Sequence, residues 1–73
     1  MSETIQDLTR MANQIADFFR AYPEAEALDG IAGHIRDFWT RPMRDRLDAH
    51  IAAGGEGLDP FVIKALSPAS QDA

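Results

Sequence analysis

From Ile5 to Tyr22 the apolar residues recur every three or four positions, and this spacing constrains the chain more than any other feature. At 100° per residue, Ile5, Leu8, Met11, Ala12, Ile15, Phe18, Phe19 and Tyr22 fall within about 140° of a helix circumference. Gln6, Asp7, Thr9, Arg10, Asn13, Gln14, Asp17 and Arg20 take the remaining side, and the two sets do not mix. The spacing predicts an amphipathic helix over Thr4–Tyr22. Thr4 with Asp7 resembles a capping box, Asp standing in for the usual Glu. Pro23 stops the helix, because the residue before a proline is steered away from α geometry.

Such a helix must bury its stripe, and the rest of the chain offers further helices. Pro23–Ala27 can open a second one, with proline in its first turn and Glu24 and Glu26 at the positive end of the dipole. Asp29-Gly30 reads instead as a turn, which would delay the start to that point. From Leu28 onward, Leu28, Ile31, Ala32, Ile35, Phe38 and Trp39 share an arc of about 120°, with His34 at its edge and Arg36 and Asp37 opposite. Projection assigns Ile35, Phe38 and one side of Trp39 to packing. Gly30 and Gly33 project to the polar side, which marks either a frayed helix start or the close approach of another backbone. The Asp-Gly turn signal favours fraying.

Pro42 ends this helix near Trp39 or Thr40 and restarts the chain. A third helix over Pro42–Ala53 carries the thin stripe Met43, Leu47 and Ile51, and Gly54-Gly55 supplies its C-terminal cap and a hinge. Asp59-Pro60 reads as N-cap and first helical position of a last short helix, Phe61–Leu66, with Phe61, Val62, Ala65 and Leu66 as contacts. The expected fold class is therefore all-α: three short amphipathic helices plus a short C-terminal helix. They form a single small helical domain over residues 1–66, followed by a disordered tail over 67–73.

A chain of 73 residues has little core to rely on, since it buries only ~60% of the surface its unfolded form exposes. It has no cysteine, so no disulfide or thiolate metal site can compensate. Tight helix packing or a partner subunit must supply the missing burial. The formal net charge of −5 opposes binding to phosphate backbones. No apolar run approaches the ~20 residues that span a bilayer, and MSETIQDLTR has no apolar signal core. A soluble, unexported protein is expected.

No catalytic constellation is visible. His34 and His50 are not one helical turn apart and no HExxH or CxxC spacing occurs, so no metal ligands are assigned. Both histidines are expected to hydrogen-bond across a packing contact. The carboxylates lie on polar faces or in loops, where nothing builds the pocket that shifts a catalytic pKa. Ser2, Ser67 and Ser70 are terminal, and Gly30–Gly33 lacks the strand and the Lys-Ser/Thr ending of a phosphate loop. Catalytic, cofactor-binding and metal sites are all read as none.

What remains is a docking surface. His34–Arg44 holds the only Trp, and Arg36, Arg41, Arg44 and Arg46 form a basic patch in an acidic chain. The bland reading pairs these with Asp37, Asp45 and Asp48; the functional one makes them a contact surface, since Trp and Arg are the commonest interface hot spots. The expected partner interface is Trp39, Arg41, Met43 and Arg44 around Pro42, with His34 and Phe18. The bulky Phe18, Phe19, Tyr22, Phe38 and Trp39 exceed what two packed helices can cover, so some apolar surface stays exposed. Residues alone thus point to an accessory subunit or a homo-oligomer. A small helix-turn-helix DNA-binding module competes, although the chain is acidic and Met43–His50 lacks base-reading Asn or Gln.

MANQIADFF (Met11–Phe19), GHIRDFW (Gly33–Trp39), PMR (Pro42–Arg44) and GLDPFVIKAL (Gly57–Leu66), in this order and spacing, resemble the delta subunit of cytoplasmic NAD-dependent formate dehydrogenases. The resemblance covers nearly the whole chain apart from the first few residues and the tail. It implies a non-catalytic accessory subunit that stabilises or assembles a molybdenum (or tungsten) catalytic, or alpha, subunit. The implied parent complex carries molybdenum cofactor, iron–sulfur clusters, FMN and NAD, with no cofactor on this chain. One departure stands out. The family pattern sets an acidic or small residue before proline, then Arg-Met-Arg, whereas here Thr40-Arg41-Pro42-Met43-Arg44 exchanges Arg and Pro. That puts Arg41, which cannot accept a hydrogen bond, at the expected cap of the third helix.

Overall fold

The amphipathic first segment folds as predicted, with its ends drawn in. In a computed structural model that describes residues 4–67, α1 runs over Ile5–Phe19. Thr4 is its N-cap, and its hydroxyl accepts from the Asp7 backbone N–H at 3.1 Å. The helix closes three residues before Tyr22, whose N–H donates to the Phe19 carbonyl at 3.0 Å in a turn that leads into Pro23. The tail expected to be disordered lies, apart from Ser67, outside the described residues.

The second helix corrects an expectation. α2 spans Glu24–Phe38 with Pro23 as N-cap, so Asp29-Gly30 is helix interior and the fraying assignment fails. The alternative, close approach, holds in modified form. A Cβ on Gly30 would stand 2.6 and 2.8 Å from Cδ1 and Cζ of Phe19, so the absent side chain makes room for a ring where α1 crosses α2. Gly33 has no such neighbour, only the Arg36 guanidinium at 3.5 Å from a built Cβ.

α3 covers Arg41–Ala52 and also departs from expectation at its start. Thr40, with extended backbone, is the N-cap and its hydroxyl accepts from Met43 N–H at 3.4 Å. Arg41 is the first helical residue, so the exchange of Arg and Pro costs no cap: threonine, a good capping residue, takes over one position earlier. At the far end Gly54 and Gly55 adopt φ of 126° and 66°, and Gly55 N–H closes onto the His50 carbonyl at 2.8 Å. α4, Pro60–Leu66, is capped by Asp59, which accepts from Phe61 N–H at 2.9 Å.

α1 packs against each of the other three helices and α2 also packs on α4. Their shared core is Leu8, Ala12, Ala16, Ile31, Ile35, Trp39, Leu47, Leu58, Val62 and Ala65. Alanines at 12 and 16 let the helices close on α1, while Leu8, Ile31, Leu47 and Val62 are fully buried and fill the volume. All four described helices are α and no strand occurs among the described residues, so the fold class is all-α.

The loop between α3 and α4 is held from α1. Asn13, on the polar side of the α1 stripe, donates to the Gly57 carbonyl at 3.0 Å and accepts from Asp59 N–H at 2.8 Å. This pairing seats Leu58, 8% exposed, in the core. Arg20 pairs with both Asp17 and Asp59, and its guanidinium lies 5.7 Å from the Phe61 ring centroid. Burial pushes the Asp59 carboxyl up, but the hydrogen bonds from Arg20 and Phe61 N–H outweigh it and hold that group below the usual carboxylate range. His50 meets the Glu56 carbonyl at 2.8 Å; a carbonyl only accepts, so Nε2 carries the proton.

Candidate docking surface

An apolar arc of about 140° is too wide for one packing line. On α1 the Leu8, Ala12 and Ala16 row is buried, whereas Met11 and Ile15 are half-buried and Phe18 is 67% exposed. This uncovered edge forms one wall of a groove of about 420 Å³. α1 contributes Met11, Gln14, Ile15, Phe18 and Phe19; His34 of α2 and Trp39 complete it. The aromatic rings are arranged against one another. Phe18 meets Phe19 edge to face at 5.0 Å, Tyr22 lies 5.7 Å from Phe19, and His34 and Phe38 lie 4.6 Å apart.

Phe38 corrects the projection that assigned it to packing. It shares the angular position of Ile31 and Ile35 but lies in the last turn of α2 and is 74% exposed. Trp39 fills the core there instead. Its backbone leaves the helix (φ −96°, ψ 144°) and its side chain is 7% exposed. The ring expected as a docking anchor is thus chiefly a core element that also lines the groove.

The other expected contact residues separate. Phe18 and His34 line the groove together with Trp39. Arg41 points to solvent and approaches Asp45 at 4.0 Å. Met43 is half-buried against the core. Arg44 is half-buried, its Nε enclosed without a hydrogen-bond partner. Burial, with Asp45 beside it, pushes the Asp48 carboxyl up, against the opposing charge of Arg44. The groove also includes Met11, Gln14 and Ile15, which the sequence reading did not single out. The signal was there in the surplus width of the α1 stripe, but projection alone does not say which edge of a stripe is left over.

No Asp, Glu, Lys or Arg lines the groove. Among the described residues no three His, Cys, Asp or Glu side chains converge as metal ligands, and no helix is long and apolar enough to cross a membrane. The chain contains no cysteine, so it has no thiolate to bind an iron–sulfur cluster.

Four helices around one core, with a groove of aromatic and aliphatic side chains left open, describe a small helical protein with a surface to be covered. A family model described as NADH-dependent formate dehydrogenase delta subunit FdsD matches residues 7–66, a span that takes in nearly all of α1 and the whole of α2, α3 and α4. The chain belongs to that family: it is a delta subunit of an NAD-dependent formate dehydrogenase, and the other subunits of that complex are its partners. No curated protein and no solved structure matches it.

Proposed function

We propose that this chain is a non-catalytic accessory subunit that stabilises or assembles the molybdenum-containing catalytic subunit of a cytoplasmic formate dehydrogenase, and that it docks through the α1–α2 face. The observation that carries this reading is the exposure of Phe18, in the wall of an uncharged groove, and of Phe38, against the His34 ring that lines it, at 67% and 74%, in a chain with so little core of its own. The six expected contact residues then divide in role. Phe18 and His34 touch the partner, and Trp39 backs the groove. Arg41, Met43 and Arg44 form the adjoining corner, where the solvent-exposed Arg41 exchanges its loose pairing with Asp45 for an acidic group of the partner. Molybdenum cofactor, iron–sulfur clusters, FMN and NAD reside on the other subunits. Removal of this chain from the native host is the test. The catalytic subunit is expected to lose abundance or molybdenum content; a catalytic subunit unchanged in both contradicts the reading.

A further inference from the structure

The groove carries information about what fills it. Along α1 it runs from Met11 to Phe19, eight residues on or ~12 Å, which is just over two turns of helix. A two-turn apolar groove between helices matches an occupant helix that places side chains at i, i+3 or i+4, and i+7. Two polar groups interrupt the apolar lining, the Gln14 carboxamide and the His34 ring, and neither has a hydrogen-bond partner among the described residues. The occupant therefore also brings polar groups to the rim.

Charge separates a foreign partner from a second copy. Ion pairs already engage Arg10, Arg20, Arg36, Arg41 and Lys64. Glu26 lies two turns before His34 on the same i, i+4 row and has no basic partner among the described residues. A second copy would bring the same unpaired Glu26 and a formal charge of −5 to a chain that also carries −5. We propose that the groove takes an amphipathic helix from another subunit of the complex, with apolar residues facing Phe18 and Phe38 and Lys or Arg beside Glu26. This rests on the accessory-subunit reading and specifies the partner's chemistry.

The test uses the intact complex. Photo-crosslinking p-benzoylphenylalanine replaces Phe18 or Phe38 in a tagged copy, the complex is purified from the native host and irradiated, and the crosslinked peptide is sequenced. Both positions are expected to capture one segment of another subunit with apolar residues at helical spacing and a net positive charge. In parallel, Glu26→Lys is expected to lower retention in the complex about two- to fivefold, an effect that shrinks in high salt. Capture of a second copy, capture of an acidic segment, or no capture at either position in a complex that still retains the chain each overturns the inference while leaving the accessory role intact. A chain absent from the purified complex overturns both.

Discussion

The ring of Phe19, at the end of α1, lies against the α2 backbone at Gly30, where it occupies the space a side chain would need. A glycine inside a helix is normally a defect of ~1 kcal/mol relative to alanine. Here it permits the crossing of two helices and seats the aromatic ring that the groove shares with Phe18.

The contact predicts a reversed sign. Gly30→Ala is expected to destabilise, because overpacking a close contact costs about 1–3 kcal/mol and exceeds the propensity gain of up to ~1 kcal/mol. Gly33→Ala, in open surroundings, is expected to stabilise by about 0.5–1 kcal/mol. Urea melts measure both. In a Phe19→Ala background the Gly30 substitution should turn stabilising; if it stays unfavourable there, the ring is not the cause.

Asn13 predicts a coupling across 46 positions of sequence. Asn13→Ala leaves the Asp59 N–H and the Gly57 carbonyl without their partner, at about 1–3 kcal/mol if water does not replace it. Amide hydrogen exchange should show faster exchange at Asp59 and Leu58 before any general loss of protection. Uniform acceleration across all four helices would mean that Asn13 supports the whole fold rather than this loop.

Two perturbed carboxyls among the described residues, Asp59 and Asp48, act in opposite directions. Asp59 is held below its ordinary range, so its contribution is present above the unfolded carboxyl value and is lost as pH falls through the folded one. Asn still caps a helix, so Asp59→Asn removes the charge and keeps the cap. The variant should be less stable than the wild type at neutral pH and indistinguishable from it near pH 2. Asp48 is raised, so its favourable contribution lies below the unfolded value and is lost as pH rises through the folded one. Asp48→Asn should therefore gain stability at neutral pH. Thermal melts across this range check both signs.

Trp39 and Phe38 are neighbours in sequence with opposite expected phenotypes. Trp39→Ala removes a buried ring, a change of about 3–5 kcal/mol, which is a large share of the stability of so small a chain. Circular dichroism should show lost helix. Phe38→Ser should leave the spectrum and melting temperature close to wild type. Equal loss of helix in both would place Phe38 in the core.

Much of this was readable from residue order. The α1 stripe, the caps at Thr4 and Asp59, and the Gly54-Gly55 stop are local, set by side chains within a few positions of the backbone they serve. Thr40 was legible too; the family's proline position drew the cap one residue too far along. Three features were not legible, for a common reason. Gly30 looked like a turn because Phe19 lies eleven residues away; Asn13 looked like surface because Asp59 lies across the fold; Phe38 looked like core because its angle matches Ile31. Each is decided by a neighbour distant in sequence or, for Phe38, by the lack of one at the helix end. The groove proposed for docking followed only in outline. Surplus apolar width was visible, but its location at Phe18 and His34, with Phe38 against the His34 ring, required the packing.

The central claim is that the exposed aromatics hold this subunit to its complex, and one pull-down tests it. A tagged copy carrying Phe18→Ser with Phe38→Ser is expressed in the native host beside a tagged wild type, and the molybdenum-containing subunit recovered with each is quantified. With melting temperatures matched, the account predicts that recovery falls at least about tenfold, as for interface hot spots of this size. Recovery equal to wild type from a folded double variant would contradict it.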